Sequence, residues 1–155
     1  MEEGKQVPDL RQLFNDIIRF EIELWNAADV RLRNEFQLPL SQFEPMSVID
    51  RLPGCRVYDI ATELGITTGG VSKLVDRIEA HGYCRRLPNP ADRRSSLLEL
   101  TAEGKRVLTE AGVAFDEELQ RMLGSAVPER TLRQFAAVLV RLRAANRSGA
   151  LEETA

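Results

Sequence analysis

The stretch VYDIATELGITTGGVSKLVDRIEAHG, residues 57–82, decides how this chain folds. Val57, Ile60, Ala61 and Leu64 recur at three- and four-residue steps, which predicts a helix over 57–64. Gly65 supplies the left-handed backbone that stops it. Thr67 or Thr68 then caps a second helix ending at Gly82, with Val71, Leu74, Val75 and Ile78 turned inward. Ala61 is small enough for the two helices to cross closely, Gly65 makes the tight turn, and Val71 and Leu74 pack back on the first helix. That spacing is the one a helix-turn-helix uses, its second helix entering a major groove. Any tight helical hairpin needs the same small residue, glycine and apolar anchors, so the spacing alone leaves both readings open.

The outward face of the second helix carries Thr68, Gly69, Gly70, Ser72, Lys73, Asp76 and Arg77. Hydroxyls, glycines and cations are the chemistry that meets phosphates and base edges. Each glycine in the first turn costs up to about 1 kcal/mol against alanine. Close approach of the backbone and its free N–H groups to a phosphate is one use for them; a solvated face with a frayed start is the other. Downstream, residues 83–87 and 96–100 read as short strands around the turn-rich Pro88-Asn89-Pro90-Ala91-Asp92. Between residues 73 and 94 six cations (Lys73, Arg77, Arg85, Arg86, Arg93, Arg94) face three carboxylates (Asp76, Glu79, Asp92), in a chain whose formal charge is −3. Charge gathered on a hairpin just after a candidate recognition helix is the layout of a wing beside a duplex. An arginine at its tip suits a narrow minor groove. Asp92, two residues before Arg94, is placed to orient that guanidinium. A charged hairpin that only keeps the chain soluble is the alternative.

Outward from this segment the pattern is helical. Leu10, Leu13, Phe14, Ile17, Leu24, Trp25, Ala28 and Leu32 mark one face of a long first helix ending at Pro39, and Ile18, Phe20 and Ile22 add apolar surface off that face. A helix greasy on two sides buries both, against a partner chain or at the centre of a monomer. Ser41 is expected to cap a second helix reaching Leu52, closed by Pro53-Gly54. Thr101 caps a fifth helix through about Leu123, and Pro128 opens a sixth that runs to about Asn146, with a polar, frayed tail from Ser148 to Ala155.

Composition narrows the class. The chain has 155 residues, 43% of them hydrophobic and 29% charged, which fits one soluble globular domain. No apolar run approaches the roughly 20 residues of a membrane-spanning helix, and Met1 to Lys5 does not open a secretory signal, so the cytoplasm is expected. Cys55, Cys84 and His81 are too few for a disulfide framework or a metal site, and no metal or cofactor is expected. Strand alternation turns Cys84 inward as an apolar filler. Cys55, in a loop after Gly54, is expected to be the exposed thiol, with a redox role only if its pKa is lowered. His81 reads as a helix cap or phosphate neighbour. There is no phosphate-cradling glycine loop, nucleophile elbow or paired metal ligand, so the reading is not an enzyme. A winged module devoted to protein contacts would need apolar residues where Ser72, Lys73, Asp76 and Arg77 stand.

Taken together, Ile60-Ala61-Thr62-Glu63-Leu64-Gly65-Ile66, the run from Val71 to Glu79, Arg85-Arg86, Asp92-Arg93-Arg94 and Leu100-Thr101-Ala102-Glu103-Gly104 resemble the MarR family of bacterial transcriptional regulators. The resemblance covers Val57 to Gly104 closely and most of the chain loosely. It implies a mainly α fold with a small β part. Residues 41–101 would form a winged helix-turn-helix that binds DNA, and residues 1–40 and 102–155 a helical dimerisation region. It implies a homodimer on palindromic double-stranded DNA, probing it with Thr67, Thr68, Ser72, Lys73 and Arg77 on the recognition helix and Arg86, Asp92, Arg93 and Arg94 on the wing. Members are commonly repressors released by small phenolic or aromatic ligands or by thiol oxidation. The chain has no cysteine in its first helix and no histidine-rich site, so the oxidation- and metal-sensing subclasses do not fit. The resemblance also implies an effector cleft between the first two helices and the winged domain. Arg19, Trp25, Glu44 and Met46 are its candidates, arginine for a carboxylate and tryptophan for a ring; a core role for Trp25 and Met46, and a surface pair for Arg19 and Glu44, stand beside that.

Overall fold

The computed structural model describes residues 8–152, with side chains through residue 146; Met1 to Lys5 and the last residues of the tail lie outside the described part. Six α-helices and one hairpin follow in the order α1 (Leu10–Phe36), α2 (Leu40–Arg51), α3 (Val57–Leu64), α4 (Thr68–Ala80), β1 (Cys84–Pro88), β2 (Ser96–Leu100), α5 (Ala102–Leu119), a π-helical turn (Gln120–Gly124) and α6 (Glu129–Glu152). The chain forms two compact units, one through Asp116 and one from Glu117. Among the described residues no helix is long and apolar enough to cross a membrane.

Several boundaries differ from the sequence expectation, each for a local reason. The first helix stops at Phe36, ahead of Pro39, because Gln37 takes a left-handed backbone (φ 55°) and returns its N–H to the Arg33 carbonyl. Pro39, not Ser41, stands at the N-cap of α2; Ser41 lies inside the helix, and the carboxylate of Asp29 on α1 accepts the Leu40 N–H at 2.8 Å in its place. The fifth helix gives way at Leu119 to the π-helical turn, and the sixth continues past Asn146 to Glu152.

The core lies in the first unit. Leu32 and Leu38 from α1 and its exit, Met46 from α2, Ile60 from α3, and Val71, Val75 and Ile78 from α4 are fully buried together. Of the inward set expected for α3 and α4, Ile60, Ala61, Val71, Val75 and Ile78 are buried, while Val57, Leu64 and Leu74 are half-buried. Gly65 ends α3 in the left-handed region (φ 66°), and Thr67 caps α4 by accepting the Gly70 N–H at 3.2 Å. The hairpin is antiparallel, with Cys84 opposite Leu100 and Arg86 opposite Leu98. Its base is pinned to the loop before α3, where the Leu98 N–H donates to the Cys55 carbonyl at 2.7 Å.

That anchorage overturns the expectation for Cys55. The residue is 1% exposed, and burial pushes its thiol up to about 11, with Asp59 adding to the shift. Cys84 is buried as expected, and its thiol is raised to about 11 by the same cause. Both are protonated at neutral pH, so neither is a reactive thiolate.

Candidate nucleic-acid interface

Local sequence explains how α4 and the wing present their side chains. Inward positions of α4 are taken by Val71, Val75 and Ile78, which leaves Thr68, Gly69, Lys73, Asp76 and Arg77 exposed and Ser72 half-buried. The wing is fixed by an internal hydrogen-bond set at its tip. Asn89 is buried; its amide donates to the Ser95 hydroxyl at 2.9 Å and its carbonyl oxygen accepts the Ala91 N–H at 3.0 Å. Asp92 accepts the Arg94 N–H at 3.0 Å and the Arg94 Nε–H at 3.3 Å. The guanidinium it orients stands 93% exposed at the tip.

The six cations of residues 73–94 divide by partner. Arg85 pairs across the hairpin with Glu99 at 2.8 Å. Arg86 pairs with Asp76 at 2.6 Å and with Glu79, so it ties β1 to α4 and is a brace before it is a contact. Among the described residues Lys73, Arg77 and Arg93 have no carboxylate partner. Those three and the Arg94 tip are therefore the exposed positive charge of this face, where counterions sit until a polyanion displaces them.

Between α4 and the wing lies a concavity of about 420 Å³. Thr68, Gly69 and Ser72 form one wall, and Arg86, Arg94, Ser95 and Ser96 the other. Arg56, Val57 and Tyr58, from the start of α3, close its end. Four of the sequence-predicted residues (Thr68, Ser72, Arg86 and Arg94) thus meet around one space. Lys73, Arg77 and Arg93 are exposed beside it and do not line it. Thr67 is occupied as the α4 cap, and Asp92 as the Arg94 clamp.

Arg56 and Tyr58 were not anticipated. Asp59 accepts the Arg56 N–H at 2.9 Å and its Nε–H at 3.1 Å, and that guanidinium holds the Asp59 carboxyl below its ordinary value. Tyr58 is 64% exposed. The signal was available: Val57, Ile60, Ala61 and Leu64 mark the apolar stripe of α3, of which Ile60 and Ala61 are buried, and Tyr58 falls off it.

A second cavity, about 430 Å³, lies in the same unit. Trp25 of α1, Pro45 of α2, Leu64 and Ile66 at the end of α3, and Leu74 of α4 give it apolar walls; Ser41, Glu44 and Glu63 are its polar groups. Burial raises the Glu44 carboxyl above its ordinary value, while the charge of Arg51 pulls it back. Two of the four effector candidates, Trp25 and Glu44, therefore meet here. Met46 is fully buried in the core, since two residues along a helix lie on nearly opposite faces and Glu44 takes the open one. Arg19 does not line the cavity. It is six residues from Trp25, about 120° round the helix and about 9 Å along it. His81 stands at the C-cap of α4, its ring centroid 5.7 Å from that of Tyr83.

Comparison with known proteins places this geometry. The family model described as MarR family matches residues 38–96, which spans α2, α3, α4, β1 and the hairpin loop and stops at the first residue of β2. The chain is similar to the multiple antibiotic resistance protein MarR of Salmonella typhimurium, 33% identical over 102 residues, covering 61% of this chain and 70% of that protein. It is also similar to the transcriptional regulator HosA of Escherichia coli O111:H-, 31% identical over 107 residues, covering 66% of this chain and 79% of the relative. Its fold matches that of Sco3205, a MarR family transcriptional regulator from Streptomyces coelicolor solved in complex with DNA, with a TM-score of 0.81 at 20% identity over 92% of this chain and 91% of that one.

Proposed function

The chain belongs to the MarR family of transcriptional regulators, and from that premise we propose that it is a homodimeric, sequence-specific repressor released from its DNA by a small aromatic ligand. The observation that carries the DNA-binding half is the concavity between α4 and the wing, walled by Thr68, Ser72 and Arg94 and flanked by the unpaired cations Lys73, Arg77 and Arg93. Lys73 and Arg77 meet phosphates and base edges as α4 enters the major groove. Arg94, held by Asp92, reaches the adjacent minor groove. Arg56 and Tyr58, at the start of α3, hold the duplex backbone.

A single head buries too little for tight, selective binding, and the exposed apolar side chains of α1 and α6 supply the reason to pair. Phe14 is 62% exposed and Ile22 50%, while on α6 Val138 is 49% and Leu142 50% exposed. Monomers seldom leave such faces to water. In the dimer the region before α2 and after β2 makes the interface, and two α4 helices stand about 34 Å apart, one turn of duplex. A ligand in the cavity lined by Trp25 and Leu74 touches α4 directly, and selects a spacing of heads that no longer spans both half-sites. The protein acts in the cytoplasm, where its operator is.

Selection of genomic fragments by the purified protein tests this. A recovered palindrome with half-sites one helical turn apart is the expected result. Recovery of fragments with no shared sequence, at the affinity of random competitor, rejects it.

A further inference from the structure

We propose that the 430 Å³ cavity beside α4 takes a positively charged aromatic ligand, an arylalkylamine, in place of a phenolate or carboxylate. The inference deepens the ligand-release reading above and rests on it.

The charge of the walls carries it. An anionic ligand would meet two carboxylates, Glu44 and Glu63, and no cation among the lining residues. Arg51 stands outside the lining and donates to Glu63 at 2.9 Å, so that pair is neutralised within the protein. Glu44 has no hydrogen bond or ion pair among the described residues; the charge of Arg51 acts on it without direct contact, so the carboxylate has no bonded partner and can take one from whatever enters. The apolar surroundings that raise its carboxyl also increase what it gains from a cation, because the ammonium replaces hydration that burial has removed. Trp25 adds a second attraction of the same sign, since an indole face draws a cation within about 6 Å of its centroid.

The backbone of α2 contributes a third. Pro45 has no N–H to give the Ser41 carbonyl four residues back, and both residues line the cavity. The Ser41 carbonyl is thereby left without its usual helical donor, one more acceptor beside Glu44 for a ligand that brings N–H groups of its own, while the Ser41 hydroxyl and the Trp25 indole N–H are the donors of the lining. A volume of 430 Å³ holds one ring with a short amine arm.

The test uses two ligands of matched shape and opposite charge, 2-phenylethylammonium and 3-phenylpropionate, titrated into the full-length protein. Trp25 is the only tryptophan, so its fluorescence reports occupancy of this cavity, and calorimetry gives the affinity independently. The cation is expected to bind at least about ten-fold more tightly than the anion, and Glu44→Gln to reduce the cation's affinity about five-fold with an unchanged melting curve. Equal or tighter binding of the anion, binding of neither, or an unaltered cation affinity in Glu44→Gln overturns the proposal. Release of DNA is measured separately on the same complexes. A cation that occupies the cavity without releasing DNA removes the ligand-release reading and leaves the charge preference standing, whereas release by the anion alone removes the charge preference and leaves the release reading.

Discussion

Gly69 shows what one residue concedes to the interface. It sits in the first turn of α4 without positive φ, and a Cβ placed on it would meet nothing within 4 Å. Sterically an alanine is welcome there, and helix propensity favours it by up to about 1 kcal/mol. Yet Gly69 lines the concavity proposed to receive the duplex, where a methyl would hold the backbone away from a phosphate. Gly69→Ala is therefore expected to raise the melting temperature and weaken DNA binding together. A thermal melt and a gel-shift titration of the same sample check both; a stabilised variant with unimpaired affinity would return Gly69 to an ordinary helix start. The pair of glycines and the hydroxyls beside them were legible in the sequence, because helical periodicity alone sorts outward from inward positions. What was not legible was which cations are free. Arg86 and Arg94 read alike in the sequence, but Arg86 is closed onto Asp76 and Glu79 across seven to ten residues, and only the folded register of β1 on α4 brings those groups together. Cys55 failed for a similar reason: it is buried in a core cluster drawn from distant parts of the chain, and Leu98, 43 residues away, donates to its carbonyl.

Among the elements, the junction of α4, the wing and α5 is held by hydrogen bonds around Thr101. Thr101 donates its hydroxyl to the Gly82 carbonyl at 2.6 Å and accepts the Gly104 N–H at 3.0 Å, and its own N–H donates to the Tyr83 carbonyl at 2.9 Å. Gly104 packs so closely on this corner that a Cβ would fall 1.9 Å from the Tyr83 carbonyl oxygen, a backbone atom with no rotamer to yield. Gly104→Ala is expected to destabilise the fold by about 1–3 kcal/mol, the range of an overpacked core. A urea titration followed by circular dichroism measures it; a midpoint equal to the parent's would mean that α5 shifts freely on the wing. The order and type of these elements followed from the sequence. The ends of α1 and α5 did not, because a left-handed Gln37 and a π-helical turn leave no compositional mark that a straight helix lacks.

For the whole molecule, the proposed pairing of two chains accounts for the exposed apolar faces of α1 and α6. Phe14 and Ile17 on α1 and Val138 and Leu142 on α6 are accessible in the single chain. Replacing Val138 and Leu142 together by aspartate is expected to convert the dimer to single subunits, since two buried charges cost several kcal/mol. Light scattering coupled to gel filtration reads the outcome, and a parent protein that elutes as one chain would contradict the homodimer outright. The face of α1 was visible as a doubly apolar first helix, whereas for the sixth helix the sequence reading gave only its start at Pro128 and an end near Asn146. Whether they meet a partner or each other is a question of assembly that periodicity does not encode.

Duplex binding by α4 and the wing is tested most directly by the salt dependence of affinity in the parent and in Arg94→Ala, using an operator recovered by selection. Arg94 is almost wholly exposed and outside the core, so its removal is expected to leave the fold and the proposed dimer intact. If each protomer loses one phosphate contact, the slope of log affinity against log salt becomes shallower by about 0.9 per protomer, with weaker binding throughout. Two superimposable lines of equal slope and equal affinity would show that the wing does not touch the duplex.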